Sequence, residues 1–195
     1  MAFSTRACAS WREAGIATLA GLLILLAGGC AQGADGFGIS LHDLNVSRSR
    51  DGVEVHARQE IELSSEAGRA LRHGVPLRLR LDVALRAQGQ WSALKGASLY
   101  YEIRYLPLSG HYQLTGPGPE GPARNYPRLR HVLAELSDIE LRLPTDEAAP
   151  RSLEVRMRSR LDRSRLPGPM QLPALLSSQW AHDSGWVSGQ FDLGG

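Results

Sequence analysis

The spacing of apolar positions changes character near residue 30. Residues 16–27 form a nearly unbroken apolar run, whereas beyond residue 40 apolar and polar side chains alternate one by one. Val53, Val55, Ala57, Ile61 and Leu63 alternate with Glu54, His56, Arg58, Glu60 and Glu62, the period of two expected of a strand with one buried face. Val75, Leu77, Leu79, Leu81, Val83 and Leu85 repeat the pattern, with Arg78, Arg80, Asp82 and Arg86 outward. Leu99, Tyr101, Ile103 and Tyr105 share one face of a third strand. In a fourth, Leu153, Val155, Met157 and Leu161 alternate with Arg156, Arg158, Arg160 and Asp162, and residues 186–193 make the last strand.

The connections are those of antiparallel pairing. Asp51-Gly52 is a hairpin signal that joins residues 41–48 to the strand after it. Residues 107–110 turn the chain back into residues 111–114. Two short helices are expected. Ser64 or Ser65 caps one through Ala67, Ala70 and Leu71, stopped by Gly74 and Pro76. Asn125-Tyr126-Pro127 opens the other, with Leu129, Val132, Leu133 and Leu136 at helical spacing. Residues 116–121, rich in Gly and Pro, read as an exposed, mobile loop, and Leu166-Pro167-Gly168-Pro169 as a stiff, extended crossing between sheets. The predicted fold is mainly β, an immunoglobulin-like antiparallel β-sandwich with two short helical inserts.

The N-terminal run belongs to a different kind of segment. Arg6 and Arg12 precede it and Leu26-Ala27-Gly28-Gly29-Cys30 closes it, the layout of a secretory signal. It is well short of the ~20 residues a membrane-spanning helix needs. Residues 1–30 are therefore expected to be a signal peptide with a lipobox-like end, residues 31–38 a linker and residues 39–195 one sandwich domain. Two ways of processing the leader stay open. Acylation at Cys30 would make a membrane-attached lipoprotein, with Ala31 after the cysteine pointing to the outer membrane. Cleavage after Gly33 or Ala34 would release a soluble periplasmic protein.

Charge and cysteine content agree with export. Arg6, Arg12 and Glu13 lie in the leader, which leaves 20 basic against 19 acidic residues of the 22 and 20 in the whole chain. So even a balance argues against nucleic acid as a partner. Cys8 and Cys30 are the only cysteines, which excludes a thiol nucleophile, a cysteine metal site or a disulfide within the domain.

Candidate chemistry is sparse. His131 and Glu135 stand four apart, but a metal site needs a third ligand and no partner pair is visible. His182-Asp183-Ser184 holds the residue types of a hydrolase triad, yet triads assemble across a fold and no Gly-x-Ser-x-Gly turn is present. Glu54, Glu60 and Glu62 share a strand face, where cross-strand pairing with arginines is the expected role. No catalytic, cofactor-binding or metal-binding residue is assigned. The one candidate ligand surface is Arg156, Arg158 and Arg160 with Trp180 and Trp186, suited to an acidic lipid or glycan.

Three stretches carry a family resemblance: Arg72-His73-Gly74-Val75-Pro76-Leu77; Tyr101-Glu102-Ile103-Arg104-Tyr105 with His111-Tyr112-Gln113-Leu114; and residues 161–169, continuing to Gln179-Trp180 and Gly185-Trp186. Over about residues 40–193 the chain resembles DUF4390, a family of exported bacterial proteins designated a domain of unknown function. The resemblance implies an envelope protein without assigned activity, cofactor or catalytic residues, and a link to a membrane sensor kinase of the nitrogen-regulation type. The expectation is a non-enzymatic periplasmic module that binds an envelope protein; the alternative is a carrier for an acidic lipid or glycan.

Overall fold

The computed structural model describes residues 36–49, 52–118, 120–144 and 152–192. The leader with its apolar run, Cys30 and the alternative cleavage positions Gly33 and Ala34 lie outside the described residues, as do Asp51, Pro119, Arg151 and Leu193. The described elements run β1 (Gly38–Ser49), β2 (Gly52–Glu62), α1 (Ser65–Arg72), β3 (Leu77–Ala87), β4 (Ala93–Leu106), β5 (His111–Thr115), β6 (Ala123–Tyr126), α2 (Leu129–Glu135), β7 (Asp138–Pro144), β8 (Ser152–Leu161), α3 (Gly168–Leu176) and β9 (Val187–Asp192). Short turns of 3-10 helix at Arg163–Arg165 and Ser178–Trp180 flank α3.

The strands form two antiparallel sheets, of order β1-β2-β7 and β6-β5-β4-β3-β8-β9. Their register follows the alternation. Val83 faces Met157 on β8, and Val55 faces Leu141 on β7, so like faces stay aligned across each sheet. Two apolar clusters lie between the sheets. One joins Leu41, Val53, Val55, Ala57, Ile139 and Leu143 to Leu81, Val83, Leu85, Leu153, Val155 and Met157. The other joins Ile39 and Ile61 to Leu77, Leu79, Ile103 and Leu161, and is capped by helix residues including Leu71 and Val132. The predicted sandwich is thus present, with β1 drawn against β9, where Gly189 leaves room for Leu44.

α1 starts where the capping chemistry places it. The Ser64 Oγ accepts the Ala67 N–H at 3.1 Å, with Glu66 in the first turn and Arg69 and Arg72 in the last, charges that oppose the helix dipole. Gly74, at φ 86°, then turns the chain toward β3.

Four local expectations are corrected. The described residues hold three helices: Gly168 and Pro169 open α3, because proline in a first turn gives up an N–H that has no helical partner anyway. Asn125 and Tyr126 belong to β6, held by pairing with β5, and α2 begins only at Leu129. β7 was not anticipated. The 116–121 loop lies against β4: Gly116 is buried, and Gly118 N–H donates to the Tyr100 carbonyl at 2.8 Å. A Cβ on Gly116 would sit 2.5 Å from the Tyr101 ring, so this close approach requires glycine.

Leu81 is fully buried and Leu108, at the β4–β5 turn, fully exposed. Leu81→Ala is expected to destabilise the domain by about 2–5 kcal/mol and Leu108→Ala by under ~0.5 kcal/mol, as read by urea unfolding.

Candidate functional site

The arginines of β8 sit on the outer face of the six-stranded sheet because their neighbours Leu153, Val155, Met157 and Leu161 fill the inner one. Register sets Arg160 opposite Arg80, Arg158 opposite Asp82 and Arg156 opposite Ala84. Asp82, only 8% exposed, is the anion of this face. It accepts from Arg80 Nε at 2.7 Å and Ser98 Oγ at 2.6 Å, and Arg160 Nη2 lies 3.3 Å away. Arg158 grips Asp183 with both Nε, at 2.8 Å, and Nη2. That hydrogen bond holds the Asp183 carboxyl below its ordinary pKa of 3.8 against the opposing effect of burial, and raises the Arg158 guanidinium. Arg80 is raised in the same way by Asp82.

The expected ligand surface therefore divides. Arg158 and Arg160 are engaged with carboxylates of the domain itself. Arg156 keeps its partner aromatic, stacking 5.2 Å above the Trp186 ring. Trp180, expected on the same surface, is instead 1% exposed and packed in the core; its 3-10 turn directs the indole inward, where its apolar mass is buried.

The other candidates also separate. His182 Nε2 accepts the Ser64 N–H at 3.0 Å, and its ring lies 5.5 Å from that of Phe37. Ser184 Oγ accepts from Ser159 N–H at 2.9 Å and donates to the Gly185 carbonyl at 2.8 Å. With Asp183 turned to Arg158, the three side chains point to three different tasks. Glu135 pairs with Arg124, not with His131, and no group of three potential metal ligands occurs among the described residues. Glu54 meets Arg142 of β7 at 3.0 Å, the cross-strand pairing expected of that face.

A second place was not found from the sequence. Between the edge of β7 and the β4–β5–β6 side of the sandwich lies a cleft of about 460 Å³, bounded by Gln59, Tyr101, Leu114, Arg124, Glu135 and Ile139. Asp138 and Glu140 of β7 also reach it. Burial raises the Tyr101 phenol, with the Arg124 charge working against it. β7 pairs with β2 on one side and with no strand on the other among the described residues; Lys95 Nζ caps the end of that edge at the Pro144 carbonyl, 3.0 Å. The signal was available: Ile139, Leu141 and Leu143 alternate with Asp138, Glu140 and Arg142.

Two antiparallel sheets enclosing an apolar core define a β-sandwich domain. The family model for the domain of unknown function DUF4390 matches residues 37–189, and the chain belongs to that family. No curated protein and no solved structure matches it.

Burial is the main influence on His182 and lowers its pKa from the ordinary 6.5, with backbone contacts to Trp180 and Glu62 opposing it. A pKa depressed on folding means that the unfolded chain takes up the proton first. The His182 contribution to stability is then complete above about pH 6.5 and is lost on acidification through its folded pKa. Asp183 adds a second loss below 3.8. Urea midpoints measured against pH should fall in these two stages, and His182→Gln, which keeps a non-titrating acceptor, should flatten the first.

Proposed function

We propose that the chain is a non-enzymatic accessory module of the bacterial cell envelope, held at the periplasmic membrane surface by lipid on Cys30, and that it binds another envelope protein through the open edge of β7. The unpaired edge beside the cleft carries this reading. An extended segment of a partner can add to such an edge through main-chain hydrogen bonds, while a neighbouring groove selects its side chains. The exposed Asp138 and Glu140 carboxylates at the rim, each 3.6 Å from a β2 side chain (Arg58 and His56), favour a segment bearing basic residues. The extracytoplasmic part of a membrane sensor is the natural partner for a module anchored at the same surface. A second reading, a carrier for an acidic lipid or glycan, draws on the Arg156–Trp186 stack.

A photo-crosslinker at Arg142 should capture a partner in the native host, and Asp138→Arg with Glu140→Arg should abolish the capture. Each exposed substitution should shift stability by no more than ~0.5 kcal/mol. An unchanged crosslink pattern would remove β7 as the docking edge. Native mass spectrometry of the protein from its host's membranes addresses attachment and cargo together. A chain beginning at an acylated Cys30 is expected; an unlipidated chain beginning near Asp35 would make it a diffusible factor, and a co-purifying acidic lipid would favour the carrier.

A further inference from the structure

We propose that α3 seats the domain on an anionic bilayer surface, with Leu172, Leu175 and Leu176 inserted among the lipids. The inference rests on the reading of the chain as a membrane-attached envelope protein.

The helix turns apolar side chains outward as well as inward. A surface helix normally buries its apolar stripe and gives water its polar one. Here Ala174 is buried, with Met170 and Gln171 half-buried beside it, while Leu172, Leu175 and Leu176 are 73%, 57% and 90% exposed. Their spacing of three and four places them on one side, in line with exposed Pro169. Single exposed leucines are ordinary, but a contiguous row on a helix that could have carried polar residues marks a contact surface.

The row is also firmly presented. Gln171 Nε2 donates to the carbonyls of Ser164 at 3.1 Å and Leu166 at 2.9 Å, and Arg163 Nη1 donates to that of Ala174 at 3.2 Å. These bonds fix the helix on the preceding turn, so the leucines are not needed to hold it there.

Charge and tethering select a membrane as the occupant. α3 contains no acidic residue, and the turn packed against it supplies Arg163 and exposed Arg165. Two carboxylates lie nearby, Asp162 hydrogen-bonded by Ser164 and Glu66 by Ser177 just after the helix, and both keep their charge. Leucines bordered by arginines are the composition of an interfacial helix, in which the cations meet anionic headgroups. The chain also enters the domain beside this region. Phe37 lies against His182, two residues beyond the Ser178–Trp180 turn that packs on α3. A lipid on Cys30 leaves residues 31–36 as the tether, which reaches only ~20 Å at full extension. The entry point, near α3 through these contacts, is thereby kept close to the bilayer.

The test uses the full chain with Cys8→Ser and Cys30→Ser, retaining the apolar run, and a single new cysteine carrying the environment-sensitive NBD fluorophore. The label is placed at Leu176→Cys or, for comparison, at Leu108→Cys. Vesicles of phosphatidylcholine and phosphatidylglycerol contain brominated lipid as the quencher. The expected result is a blue shift and severalfold stronger quenching at position 176 than at 108, lost in Leu172→Ser/Leu175→Ser. If the chain floats with the vesicles while both labels stay in water, the seating of α3 is overturned. If it does not float at all, the seating of α3 fails as well, whereas lipid attachment, which a Cys30→Ser chain does not carry, stands or falls by the mass of the native chain. Shielding at position 176 without vesicles would assign the leucines to a second copy of the chain and overturn the proposal.

Discussion

The structure depends on the requirement that two half-apolar sheets cover each other. β3 occupies the centre of the larger sheet, and its inner row from Leu77 through Leu79, Leu81, Val83 and Leu85 to Ala87 is buried throughout. β4 and β8 flank it, while Val53, Val55 and Ala57 of β2 and Ile139 and Leu143 of β7 close over it from the other sheet. A slip of one residue in any of these pairings would turn arginines inward and leucines out, so burial sets the register as well as the stability.

The same parity creates the charged outer face. Once the inner row of β8 is buried, Arg156, Arg158 and Arg160 must point outward, and register brings them beside β3. Asp183 pairs with Arg158, and Asp82 is shared between Arg160 and Arg80. A run of arginines that resembles an anion-binding surface along the chain is therefore in part paired within the domain, while Arg156 lies over Trp186.

The sandwich is incomplete in two places. At β7 the smaller sheet ends, among the described residues, beside a cleft. At α3 a helix packs by Ala174, Met170 and a few hydrogen bonds, leaving leucines outside. His182 ties the region near α3 together, linking the cap of α1, the start of β1 and, through its carbonyl, the Leu161 N–H at the end of β8. A module held by α3 and open at β7 would separate attachment from partner binding, with a rigid core between them.

What can be read along the chain is what depends on near neighbours. Alternation in β2, β3 and β8, the hairpin from β1 to β2, the Ser64 cap and the family motifs needed no knowledge of distant residues, because side-chain period and capping are local properties. β7 carried the same alternation, but it follows a helical stretch and its place beside β2 depends on a pairing with residues 80 to 92 positions earlier. Trp180 was legible as an aromatic and not as a core residue, since only the packing of its 3-10 turn decides which way the indole faces. Proline and glycine at 166–169 speak equally for an extended crossing or a helix start, and the turn that receives Gln171 and Arg163 decided for the helix. Which arginines are free was likewise a tertiary matter: Asp82 and Asp183 are distant from them in sequence, and only the pairing of β3, β8 and the segment before β9 brings opposite charges within hydrogen-bonding reach.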